Sequence, residues 1–148
     1  MIRLATRQDI PIIMEMIREG SKEMIIDGLR DVSHHNEEYI KNLLFNIIIG
    51  KGFILLDDAF KGMLIALISP NIWCKDVLEL RQLGWWVCPK YRTGTLSGRL
   101  WIAFNKKAQE LLDCGRVKVV YASYRNNGKE VDFTKHGFKP LENIFYRE

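Results

Sequence analysis

Residues 77–124 limit the fold more than any other stretch of this chain. An apolar run from Val77 to Val87 gives way, after Cys88-Pro89, to a basic knot, Lys90-Tyr91-Arg92, and then to Thr93-Gly94-Thr95-Leu96-Ser97-Gly98. From Thr95 to Asp113, Leu96, Leu100, Ala103, Phe104, Ala108, Leu111 and Leu112 fall on one broad helical face, and Gly115 closes the helix. "RVKVVYASY", 116–124, reads as a strand. A strand, a helix and a strand in that order form a parallel pair through a right-handed crossover. The small residues at the helix start leave backbone N–H groups open, with the positive end of the helix dipole behind them, and this is a seat for an anion such as phosphate.

The flanking sequence adds antiparallel strands and two more helices. Residues 2–5 alternate as a short strand, and 8–19 place Ile10, Ile13, Met14 and Ile17 on one helical face, with Asp9 as N-cap and Pro11 in the first turn. Asn36 to Ile49 reads as a second helix, capped by Ser33 or Asn36 and stopped by Gly50. Residues 52–58 and 59–69 read as two strands joined by a tight turn near Asp57-Asp58, and 70–76 as a loop marked by Pro70 and Asn71. In the strand over 77–87, Leu78, Leu80 and Gln82 share one face and Glu79, Arg81 and Leu83 the other, and Gly84 signals a bulge. A short helix over 127–136, ending at Gly137, and a terminal strand within 138–148 complete the reading. The expected fold is α/β (mixed α+β): a single domain over 1–148 in the order β-α-α-β-β-β-α-β-α-β, with a central mixed sheet of about six to seven strands and helices on both faces.

Composition narrows the function. The 148 residues carry a net charge of +4 with a pI near 9.0, which fits an anionic small molecule. No basic stripe interleaved with aromatics points to nucleic acid. No apolar stretch reaches the ~18 residues of a membrane span, and the first residues lack a signal-peptide core, so a cytoplasmic location is expected. Cys74, Cys88 and Cys114 show neither metal-ligand spacing nor a disulfide framework. His34-His35 reads as a solvated loop pair, since adjacent side chains diverge, and no metal is expected.

With these elements in place, "V-C-P-K-Y-R-T-G-T-L-S-G-R-L" (87–100) resembles the loop V-x-P-x-Y-R-x-x-G-x-G/A-x-x-L of the GNAT acyltransferases. "IRLATRQDIPIIMEMI" resembles their opening strand and helix, and "N-N-G-K-E-V-D-F-T-K-H-G-F" their closing segment, so the likeness covers nearly the whole chain. The wording is most similar to GNAT-like proteins encoded by bacteriophages. The resemblance implies acetyl-CoA as acyl donor and a primary amine, on a small molecule or a protein, as acceptor, joined by direct attack in a ternary complex. It implies that the strand ending at Val87 parts from its neighbour near Gly84 to Trp86. The pantetheine would then pair with the backbone of Trp85, Trp86 and Val87, and the pyrophosphate would rest on Thr93, Gly94, Thr95, Leu96, Ser97 and Gly98. Arg92 adds charge to this seat, and Asn126 and Phe133 complete the expected cofactor contacts.

Three positions depart from the family pattern. Thr95 stands where glycine is usual, Ser97 where glycine or alanine is usual, and Phe133 where a tyrosine acts as general acid. Phenylalanine has no proton to donate, which leaves water, Tyr124 or Ser123 for that role, or no chemistry at all. Glu79 is the carboxylate placed to serve as a base, or else a strand residue paired with Arg81 or Lys75. Gln82 can orient substrate or water, and Glu23 and Asp27 can meet a cationic amine or remain solvated. The alternative is a GNAT-like fold without catalysis, serving in binding or assembly in a phage particle or against a host target. Exposed Trp and the C-terminal strand would suit a homodimer.

Overall fold

The computed structural model describes residues 1–30, 36–125 and 130–148. Its sheet has the order β1-β2-β3-β4-β5, built from Ile2–Leu4, Gly52–Asp57, Gly62–Asn71, Cys74–Val87 and Val119–Tyr121. The first four strands pair antiparallel, and β4 pairs with β5 in parallel, as the crossover through α3 (Leu96–Asp113) requires. Helices α1 (Ile10–Ser21) and α2 (Glu37–Asn46) cover one face and α3 the other. Strand β2 shows why its apolar run does not alternate with polar residues. Phe53 and Leu55 pack toward α3 while Ile54 and Leu56 pack toward α1 and α2, so both faces are buried.

A five-residue π-turn, Ile47–Lys51, carries the end of α2 into β2. Gly52 at its exit has φ +152, and a Cβ there would stand 2.0 Å from the Ala66 carbonyl oxygen of β3. Only glycine lets the two backbones approach this closely.

Several expectations are corrected. The described residues form five strands, against the six to seven expected. Strand β3 begins at Gly62, because the turn runs on through Phe60, which adopts φ +58. The loop expected over 70–76 is a hairpin: Asn71 pairs with Cys74, and its side-chain oxygen accepts the Trp73 N–H at 2.9 Å, a local bond that tightens the turn. Pro70 is tolerated in β3 because it lies beyond the last β2 pair, Gly52 with Leu67, where no ladder N–H is needed. The strand expected over 116–124 shrinks to Val119–Tyr121. Of the helix expected over 127–136, the described part, 130–136, holds one 3-10 turn, Phe133–His136. The Asp132 carboxylate takes the Thr134 N–H that a helix would have used. Residues 138–148 form no strand. Phe138 turns inward against Trp101 and Phe133, and Pro140 lacks the N–H that a ladder beside the short β5 would use. His34, His35 and Asn126 lie outside the described residues.

Candidate active site

Strand β4 changes its facing partway along. Ala66 of β3 pairs with Gln82, and the next residue back, Ile65, pairs with Gly84, so Leu83 is an extra residue, a β-bulge. Before it, Leu78 and Leu80 pack toward α3. After it, Trp85 and Val87 do so, while Trp86 packs toward α1. The bulge falls one residue before the expected span of Gly84 to Trp86.

The bulge is also where β4 leaves its parallel neighbour. The last β4–β5 pair is Arg81 with Tyr121. Beyond it the Cys88 N–H donates to the Lys61 carbonyl at 2.8 Å. By the alternation of an antiparallel ladder, the Trp86 amide therefore faces β3, and those of Trp85 and Val87 face the side that β5 has left. The Val87 carbonyl accepts the Arg92 Nε at 2.8 Å. Gln82 bridges the start of the opening: its Oε1 accepts the Ser123 N–H at 2.9 Å.

Helix α3 starts at the mouth of a shallow cleft of about 340 Å³. Thr93, Gly94, Thr95, Leu96 and Arg99 line it from the loop and helix, Lys90 and Tyr91 from the preceding turn, and Lys61 and Asp57 from the β2–β3 connection. Three cations thus stand against one carboxylate. Thr95 occupies the N-cap position, but its side chain makes no capping bond, and the first turn of α3 has no acidic residue. A Cβ on Gly98 would meet nothing within 4 Å. The helix therefore opens on uncapped donors, space and positive charge, the combination that suits a phosphorylated ligand.

Arg92 takes a different position from the lining cations. Its NH1 and NH2 each lie 2.7 Å from a Glu23 carboxylate oxygen, and Trp86 Nε1 donates to the same carboxylate at 2.7 Å. The Arg92 hydrogen bond, partly opposed by burial, holds Glu23 below the usual carboxylate range, and Glu23 in turn raises Arg92. This clamp ties the end of α1 to the end of β4 and to the loop that leads into α3.

The structure brings Trp85, Trp86, Val87, Gln82 and residues 93–98 to one end of β4. Glu79 stands apart, roughly 20 Å along the strand from Trp86 at ~3.4 Å per residue. Its carboxylate accepts the Tyr121 hydroxyl at 2.9 Å and Asn71 Nδ2 at 3.1 Å, and it raises the Tyr121 pKa. Ser97 and Gly98 sit in the first turn of α3. Phe133 packs on Trp101 at 4.8 Å between ring centres, and the half-exposed Tyr124 lies 5.7 Å from Phe133. Asp27 pairs with Arg30 at 2.7 Å. Sequence reasoning missed Lys61 and Arg99 as cleft residues. Lys61 could have been found only from the register, which pairs Gly62 with Val87 and so lays Lys61 beside the loop.

No protein-family model and no curated protein matches this chain. Solved structures do. A possible acetyltransferase from Clostridium difficile 630 matches with a TM-score of 0.63 at 13% identity, over 100% of this chain and 95% of that one. An aminoglycoside acetyltransferase, meta-AAC0020, from an uncultured soil metagenomic sample matches with a TM-score of 0.61 at 14% identity, over 99% and 95%. A transcriptional regulator from Bacillus halodurans C-125 matches with a TM-score of 0.66 at 13% identity, over 100% and 98%. The chain shares the mixed α/β fold of these solved structures, two of which are described as acetyltransferases. No helix among the described residues is long and apolar enough to cross a membrane, and no group of three or more potential metal ligands is found among them.

Proposed function

We propose that this chain is an N-acetyltransferase of the GNAT type, taking acetyl-CoA as donor and a primary amine as acceptor in the cytoplasm. One observation carries the reading: the uncapped start of α3 opens on a cleft with Lys61, Lys90 and Arg99, beside a β4 edge whose amides have lost their strand partner. A CoA thioester needs both features at once, an anion seat and an extended edge for its amide-bearing arm. The neutral amine attacks the thioester carbonyl, the C–N bond forms and the C–S bond breaks. The proton lost by the amine goes to solvent, and the CoA thiolate takes one from water or from Tyr124, since Phe133 has none to give. Substrate placement therefore supplies most of the rate. The test is release of free thiol from acetyl-CoA across a panel of polyamines, aminoglycosides and peptide N-termini. Release that depends on one acceptor class supports the reading, and release no faster than without amine, for every acceptor, sinks it.

Phe133 favours a second reading. It is spent on an aromatic cluster with Trp101 and Phe138, where a proton donor would be expected. A GNAT-like binding or assembly protein, in a phage particle or against a host target, needs no such donor. It would bind a partner protein and show no amine-dependent thiol release.

A further inference from the structure

Gln82 is 8% exposed, and its amide is used on one side only. The Ser123 N–H that faces Gln82 can only donate, so the network fixes Oε1 toward it and leaves Nε2 on the other lobe. Nε2 makes no hydrogen bond to the protein. Two further donors, in the core between the sheet and α3, are also unmatched. Trp85 Nε1 and Trp101 Nε1 are sealed from solvent without a partner, on rings stacked 5.3 Å apart, and Trp101 is only 4% exposed. An indole N–H buried without an acceptor destabilises the fold, and folds that retain one commonly match it to a ligand or to water. Gln82 and Trp85 flank the bulge on the α3 face, where the β4 edge turns its backbone amides outward.

We propose that Gln82 reads the donor's pantetheine arm, its Nε2 donating to an amide carbonyl of that arm while Ser123 holds the side chain in place. The inference rests on the acetyltransferase reading. An extended peptide would offer the same carbonyls. The opening, however, leads to the cationic start of α3, and a molecule with amides at one end and phosphates at the other satisfies both, which a plain peptide does not. Gln82 is thus a donor-recognition residue. Glutamate at this position would keep the bond from Ser123 and lose the donated one.

The experiment compares acetyl-CoA with adenosine 3′,5′-bisphosphate, which has phosphates but no pantetheine, by nitrogen–proton NMR of the whole chain. Acetyl-CoA should move the Gln82 side-chain amide and at least one of the Trp85 and Trp101 indole signals. The bisphosphate should move backbone amides of residues 94–98 and leave those side chains in place. In Gln82→Glu, acetyl-CoA affinity should fall about tenfold with bisphosphate affinity unchanged. If wild-type protein binds acetyl-CoA and the Gln82 amide stays still, or Gln82→Glu binds it equally well, this inference is wrong and the acetyltransferase reading stands. If neither ligand moves any signal, both fall. Should Gln82→Glu lose bisphosphate binding as well, the wild-type spectra decide alone.

Discussion

Asp9 closes the junction between β1 and α1, and Asp9→Asn tests whether charge holds that junction. Arg3 grips the carboxylate through both terminal nitrogens, at 2.8 and 2.9 Å, and the Thr6 N–H donates to it at 2.8 Å. The Arg3 hydrogen bond, with burial opposing it, lowers Asp9 from 3.8 to about 2. At about 1.4 kcal/mol per pH unit, this corresponds to roughly 2.5 kcal/mol of stability. The Arg3 side chain is 35% exposed against 11% for Asp9, so screening by water reduces the figure to about 1–2 kcal/mol. A carboxylate whose folded pKa is depressed stabilises fully above its unfolded value, near 3.8, and its contribution is lost as pH falls through about 2. Urea unfolding of both proteins at pH 7 and in steps down to pH 2 reads this directly. Asp9→Asn should be less stable by about 1–2 kcal/mol at neutral pH, and the two stabilities should converge below the unfolded pKa. A gap that ignores pH, or no gap at pH 7, refutes the electrostatic account.

Other outcomes follow from the same contacts. Gly52→Ala should destabilise the chain by more than ~3 kcal/mol or prevent folding, because its Cβ has no room against Ala66; urea unfolding with wild-type stability contradicts that packing. The Trp86 indole proton should keep its chemical shift as pH falls through 4.5, the ordinary Glu value, and move only below it, because Arg92 depresses Glu23. A transition at or above 4.5 means the clamp does not hold in solution. Gly98→Val should leave stability within about 1 kcal/mol, since the site is open and exposed, yet weaken acetyl-CoA binding by crowding the helix start. Equal affinity in a titration would place the phosphates elsewhere.

The elements that packing alone dictates were legible in the sequence. Leu96 to Asp113 carries an unbroken apolar face, and the helix forms there. Val77 to Val87 and Val119 to Tyr121 flank it, and they pair in parallel. Elements whose fate depends on partners far away were less legible. The segment after Gly137 has apolar residues at strand spacing, yet β5 is too short to accept them and Trp101 draws Phe138 inward. The hairpin at Ile72-Trp73 depends on one Asn71 hydrogen bond, which Pro70 obscured. The position of the cleft at the start of α3 could be read from small residues before a helix. Its cations could not, since Lys61 reaches the cleft through β3–β4 register. Arg92 reads, through the family resemblance, as a charge added to the phosphate seat, whereas in the structure Glu23, 69 residues earlier, holds its guanidinium.

The most direct test of the central claim is calorimetric titration of the chain and of Thr95→Trp with acetyl-CoA. Thr95 is exposed at the mouth of the cleft, so the bulky ring can be carried without disturbing the core while it covers the helix start. The account predicts micromolar binding to the wild-type chain and its loss in the variant. No heat at millimolar acetyl-CoA, or equal binding by both proteins, contradicts it.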